Sequence, residues 1–405
     1  MRIHSIAVLC LLLLAAPPAQ ADPAAPSGKL LGGRGFQAEL VAVEDGVIRF
    51  LSQGRELETP VGQLVRWGHP VEVRQSVSAA GRPVVQFVLA DRGVLLGDLL
   101  TIADEQVTLF SDLFGGIVVP LEQVRGLIVH PPASRRARDL LVRRIQSAGH
   151  NSDLLLLANG DELAGRIVGL DQDQFTFETD LGPIDVAVDK VAGLLLNPQL
   201  VQQPQAQQYT ALVGLSDGSL LYAPKLRAAP QGVQLGLAGG VKLESRDAQA
   251  VVSLQPLGPT VTYLSDLKPI SYRHVPYLTV AWPYRTDANV LGSRLSVAGR
   301  LYSKGLGMHS ASRLAYRLDR PHERFFAEGA IDDGAGRRGS VVFRVFINAG
   351  DQWKQAYASP IVRGGDDPIA INVDLDGAQG LLLIVDYADR GDVLDHANWL
   401  DARLE

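Results

Sequence analysis

Cysteine is almost missing. Cys10 is the only one among 405 residues, and it lies inside an N-terminal apolar run, so the chain cannot rest on a disulfide framework and shows no cysteine-based zinc pattern. Long apolar runs are missing as well: after Ile6 to Ala16 no stretch approaches the roughly 18 residues of a spanning helix. Neither charge sign dominates, with 38 Lys and Arg against 44 Asp and Glu and a net charge of −6, and an acidic chain is not expected to take nucleic acid as a partner. What is present is 46% hydrophobic residues with 41 Gly and 23 Pro scattered between short apolar stretches. That pattern excludes simple disorder and collagen, and it suits many turns and short strands.

Residues 1–21 place Arg2 and His4 before the apolar run and end in Ala19-Gln20-Ala21, the form of a secretory signal cleaved after Ala21. An exported chain, periplasmic or extracellular, with no transmembrane segment is expected. Cys10, followed by four leucines, makes a poor lipoprotein site.

Self-comparison finds four copies of one pattern in residues 30–256. Gly93 to Pro131, Gly160 to Pro198 and Gly218 to Pro256 share one spacing, with a second glycine at Gly116, Gly182 and Gly240. The clearest copy opens on Asn159-Gly160, a strong hairpin signal, and then alternates with period two. An earlier copy, with Ala38, Val47, Phe50, Val65, Trp67 and Pro70, fits more loosely. The units, two in 30–130 and two in 153–256, have the length and turn spacing of small SH3-like or Sm-like barrels, an analogy of fold that carries no function. Each is too small to support its own core, so neighbours are expected to pack or share strands. Between the pairs, residues 131–152 carry Arg135, Arg136, Arg138, Arg143 and Arg144 at helical spacing with apolar residues. A solvated helix bracing two barrels is preferred there over a patch for an anionic polymer. Pro198 to Gln208, rich in Gln and Pro, reads as a linker.

From Thr260 the repeat signature stops, and three of the four tryptophans lie beyond it. In order come Tyr263-Leu264-Ser265-Asp266-Leu267, Lys304-Gly305-Leu306-Gly307-Met308-His309-Ser310, Phe325 to Asp333, Gly339 to Val345, and Asp395-His396-Ala397-Asn398-Trp399-Leu400-Asp401-Ala402. This set, over 260–405, resembles the NPCBM family of carbohydrate-binding modules. The resemblance implies a galactose-binding-like β-sandwich of jelly-roll type, of the kind attached to glycoside hydrolases in exported proteins, and it implies carbohydrate binding for the family as a whole. Runs such as Val341 to Ile347 and the fully apolar Leu381 to Val385 independently read as strands of a sandwich. The expected fold is therefore all-β, an N-terminal array of small SH3-like/Sm-like β-barrel repeats followed by a C-terminal jelly-roll sandwich.

Sugar sites on sandwiches combine an aromatic ring, set against the apolar face of a pyranose, with carboxylate, amide or imidazole groups that fix its hydroxyls. The candidates are Trp282, Tyr284, His309, Asp332, Asp333, Trp353, Asp395, His396 and Trp399. For His309, Asp332, His396 and Trp399 a role in the core and in anchoring loops is the competing reading. The resemblance allows a structural Ca2+, although Asn372-x-Asp374-x-Asp376-Gly377 fails as an EF-hand because Leu383 stands where its last ligand, Glu, is required. No catalytic residue is expected. Gly214-Leu215-Ser216-Asp217-Gly218 matches G-x-S-x-G, but a strand and not a helix should follow it. Asp332-Asp333 and Asp366-Asp367 have no catalytic domain around them. The expected function is that of an exported non-catalytic protein whose C-terminal module binds an envelope or extracellular glycan. The rival is a scaffold with a protein partner in the envelope and no sugar site, and a glycoside hydrolase or its accessory comes third.

Overall fold

The computed structural model describes residues 25–405 apart from 74–76, 80, 148, 203–209, 349, 351 and 390. The expected signal with Cys10, and most of the Gln/Pro linker, lie outside the described residues. Within them the chain is strands, short 3-10 turns and one α-helix, Arg135–Gln146, so the fold is all-β.

Residues 27–257 run through the same order of strands four times, with the 3-10 turn one strand earlier in the fourth unit. Val85–Leu89, Val94–Ala103, Gln106–Ser111 and Gly115–Pro120 are followed by a 3-10 turn, Leu121–Gln123, and a last strand, Val124–Ile128. Asp153–Leu157 through Val191–Leu195 repeat this order. In the first and fourth units the long second strand is split, into Gly35–Gln37 with Glu39–Glu44 and into Leu220–Ala223 with Lys225–Ala229. The first turn closes the same way each time: Leu30, Leu89, Leu157 and Leu215 each donate a backbone N–H to the carbonyl four residues on. Gly93, Gly160 and Gly218 therefore sit in the turn after a unit's first strand, one strand later than a unit boundary drawn at the glycine. The first strand is a plain apolar run such as Leu154-Leu155-Leu156-Leu157, and only the turn carries a recognisable residue.

Small units share their edges. The last strands of the second and third units pair antiparallel, Gly126 with Leu195 and Ile128 with Gly193, and those of the first and fourth pair through Trp67 with Leu254. The second strands touch in the same combinations, Ile102 with Leu170 and Val43 with Ala228. One apolar core, including Phe50, Trp67, Phe87, Phe175 and Phe177, runs through all four units, which is how units of this size escape the surface-to-volume penalty.

Residues 262–404 form two main antiparallel sheets and a small hairpin, Leu295–Val297 with Arg300–Tyr302. One is ordered Arg285–Thr286, Gly305–His309, His396–Leu404, Arg324–Ile331, Ile369–Asp374, and the other Ser271–His274, Ser312–Arg317, Gly380–Tyr387, Ser340–Asn348, Trp353–Ala358. Period-two alternation aims one face of each sheet inward, onto a core in which Phe343 meets Trp399 edge to face at 4.8 Å.

The sandwich is bound to the array through buried charge. Arg66, on the last strand of the first unit, donates Nε to Asp401 Oδ2 at 2.7 Å, Lys29 pairs with Glu328, and Gln255 donates to Asp401 Oδ1 at 3.2 Å. Burial pushes the Asp401 carboxyl up, and the Arg66 guanidinium beside it overcomes that effect and holds it below the usual carboxylate value. The helix makes a second tie, with Asp139 accepting from Arg294 Nε at 3.0 Å and Arg143 donating to the carbonyls of Thr286 and Asp287. Arg135 and Arg138 reach Glu72, and Arg144 reaches Glu162. Four of the five arginines thus bind the chain itself.

Candidate glycan site

The site grows from the pairing of Gly305–His309 with His396–Leu404, which sets His309 directly opposite His396. Gly307 is required there. A Cβ at that position would lie 2.4 Å from the carbonyl oxygen of Ala288, so only glycine lets the 288–289 segment cross the strand. Asn289, carried by that segment, then reaches Asp332.

Trp282 lies over this pair. Its indole stacks on His309 with centroids 5.0 Å apart and planes at 6°, and it stands 6.0 Å from His396. His274 meets His309 edge-on at 5.7 Å. The Trp282 backbone N–H donates to His274 Nδ1 at 3.1 Å, and Tyr272 donates its hydroxyl proton to the Trp282 carbonyl at 2.6 Å. Trp282 and His274 are half-buried, and His309 and His396 lie almost wholly beneath them. Burial, then His396 and His274, push the His309 imidazole down to about 4, and burial lowers His274 and His396. All three rings are neutral near pH 7, and because Nδ1 of His274 already accepts from Trp282, that ring keeps its Nε2–H as a donor. Nδ1 of His396 and Oδ1 of Asn398 have no hydrogen-bond partner among the described residues. Such a group of unpartnered buried atoms is uncommon in a settled core.

The other candidates fall elsewhere. Tyr284 packs on Tyr272 at 5.0 Å and against the sandwich core. Asp332 accepts from the side chains of Asn289 and Asn398 and from the backbones of Ser296 and Gly334, and Asp333 accepts from Ser296 Oγ, Ala298 and Gly299. Both carboxylates are spent on tying the Leu295–Tyr302 hairpin to the sandwich. Asp395 is buried and accepts from the Ser340 backbone. Trp399 is 0% exposed between the sheets, out of reach of a sugar. Trp353 is 42% exposed but packs by Gly380, opposite Arg317, whereas Ser312, close to His309, pairs with Val385. It therefore lies at the far end of the sandwich. His274 and Tyr272 were missed by sequence reasoning, since nothing in Ser271-Tyr272-Arg273-His274 signals that the strand ends under Trp282.

Among the described residues no group of three His, Cys, Asp or Glu is arranged to hold a metal ion. Gly214 to Gly218 joins two strands, Thr210–Leu215 and Leu220–Ala223, so the geometry of a nucleophile elbow is missing there. Two clefts lie in the array, of about 710 Å³ between the first and fourth units and about 500 Å³ between the second and third. The larger has Lys225, Arg227, Gln234, Lys242 and Glu244 around an apolar floor of residues such as Val43 and Leu235 but no aromatic side chain in its lining, and so lacks the platform of the Trp282 cluster.

Residues 260–405 match the NPCBM/NEW2 domain family. The chain is similar to alpha-1,3-galactosidase B of Akkermansia muciniphila, 33% identical over 121 residues, which is 29% of this chain and 15% of that protein. The chain thus spans a small part of that relative's length. Among solved structures, the CBM51 of a Clostridium perfringens GH95 protein, bound to methyl-galactose, is similar at 22% identity and TM-score 0.32, over 36% of this chain and 99% of that one. The tandem CBM51 modules of a Streptococcus pneumoniae family 98 glycoside hydrolase are similar at 12% identity and TM-score 0.31, over 79% of this chain and 87% of that one.

Proposed function

We propose that the chain is an exported, non-catalytic glycan-binding protein whose sugar site is the Trp282, His274, His309 and His396 cluster of the NPCBM region. The observation that carries this reading is the Trp282 indole, half-exposed and fixed in place by its stack on His309 and by two hydrogen bonds at its backbone. A ring held in one orientation loses little entropy on meeting a pyranose face, and the half-buried His274 beside it supplies a polar group for a hydroxyl, while His309 and His396 support the indole from beneath. The galactosidase relative makes galactose-terminated glycans the first probes. The repeats serve as the rigid mount, consistent with the ion pairs that fix the sandwich to them.

The test is a glycan array followed by calorimetry on the full chain without its signal. Trp282→Ala is expected to weaken binding about tenfold to a hundredfold, the order of a lost stacking partner, with an unchanged melting midpoint. Trp353→Ala should leave affinity unaltered. Retention of no glycan, with or without Ca2+, would remove the sugar reading and favour the scaffold. In that case an envelope protein partner should co-purify with wild type and Trp282→Ala alike.

A further inference from the structure

We infer that the loop following Ser271–His274 is a membrane-touching element, and that its partner is an anionic lipid surface. Val275, Tyr277, Leu278 and Val280 are 50, 69, 80 and 62% exposed, the densest run of exposed large apolar side chains in the described chain. The loop is pinned at its base: the Val275 N–H donates to Ala311 O at 3.0 Å, and the Trp282 N–H donates to His274 Nδ1. A pinned loop cannot fold its apolar tip back onto the sandwich, and a leucine four-fifths exposed stands clear of the surface around it. Single exposed leucines such as Leu181 need no partner, but four large apolar side chains gathered on one loop mark a surface that receives something apolar.

Charge identifies the receiver. Arg273 stands directly opposite Arg313 across the Ser271–His274 and Ser312–Arg317 pair. Both are exposed, neither enters an ion pair within the described residues, and Arg285, exposed on the far side of the loop, has none either. Like charges placed opposite on a sheet are unfavourable by themselves and become favourable where anionic groups neutralise them. No Asp or Glu occurs between Asp266 and Asp287, while Lys268, Arg273 and Arg285 do. Asp392 is the acidic group whose field reaches His274 and His309, on the imidazole side of the loop. An apolar tip with a tyrosine, bordered by arginines, matches the layering of a bilayer, in which acyl chains lie beneath anionic headgroups. Because the loop ends on Trp282, contact with the bilayer would bring the sugar site to the level of membrane-borne glycans.

The inference does not rest on sugar binding, and vesicles without sugar test it. The full chain lacking its signal is sedimented with phosphatidylcholine vesicles, with and without phosphatidylglycerol. The expected result is binding to the anionic vesicles that weakens as salt rises. Leu278→Asp with Val280→Asp should lower it about tenfold or more at every salt concentration, with glycan affinity and melting midpoint unchanged. Arg273→Glu with Arg313→Glu should lower it severalfold and flatten the salt dependence. Wild-type chain that leaves anionic vesicles unbound, or binding that both double variants retain, overturns the inference. So does a wild-type dimer that Leu278→Asp turns into a monomer, since the loop would then be covered by a second copy.

Discussion

At the scale of single residues, two buried groups pull the pH dependence of stability in opposite directions. Burial pushes the Asp395 carboxyl from the usual 3.8 up to about 6, so between those values the folded chain holds a proton that the unfolded chain has released. Its contribution is present below pH 4 and is lost as pH rises through 6. Burial and the neighbouring imidazoles push His309 from 6.5 down to about 4. Its contribution is present above pH 6.5 and is lost as pH falls toward 4, because the unfolded chain takes up the proton first. Asp395→Asn should flatten the fall in stability between pH 4 and 6, and stability at pH 7 should rise by roughly 1–3 kcal/mol. His309→Gln should make the loss on the acid side shallower without abolishing it, because burial also lowers His69, His274 and His396. Urea midpoints from pH 4 to 8 decide this, and variant curves parallel to the wild type would refute the assignment. A second comparison separates core from surface: Trp399→Ala, which empties a site between Phe325 and Phe343, should cost about 3–5 kcal/mol. Trp353→Ala, at an exposed edge, should cost under about 1 kcal/mol.

At the scale of elements, paired edges depend on what is missing from a side chain. A Cβ on Gly126 would lie 2.4 Å from the Leu194 carbonyl oxygen, and one on Gly193 would lie 2.8 Å from that of Leu127. Gly126→Ala should therefore push the second and third units apart and cost roughly 1–3 kcal/mol, whereas Gly149→Ala, with nothing within 4 Å, should change the denaturation midpoint little. Equal midpoints for the two variants would sink the claim that the shared strand edge holds the units together. The turns were legible in the sequence because Asn159-Gly160 encodes its own geometry within a few residues, with Gly160 at a φ of +93°. The strand partners were not, since Gly126 and Leu195 are joined by no local signal. Candidate site residues divide the same way: the motifs marked His309 and His396, while their meeting with Trp282 and His274 needed three separate strands and a loop.

At the scale of the whole molecule, the array and the sandwich behave as one body if the Arg66–Asp401 pair is as buried as it stands, 6% and 1% exposed. Arg66→Ala leaves an unpaired buried carboxylate and should cost about 3–5 kcal/mol, while Arg66→Met with Asp401→Leu should cost much less, because burying two charges already consumes most of what their attraction returns. Calorimetry should show one transition for the wild type and a split or strongly shifted profile for Arg66→Ala. Two wild-type transitions, with the sandwich unaffected by Arg66→Ala, would show that the bodies are independent.

The sequence by itself determined that no disulfide framework holds this protein, that it is built of short strands with regular turns, and that residues 260–405 resemble the NPCBM family. Those features are written in residue counts, in period-two alternation and in glycines that tolerate positive φ, each within reach of a few neighbours along the chain. Only the tertiary structure decided which residues form the candidate site, which arginines of the basic helix serve as internal ties, and that Arg66 meets Asp401. These depend on contacts between residues up to 335 positions apart, and a side chain's type does not say whether its partner will be water, a neighbouring unit or a ligand.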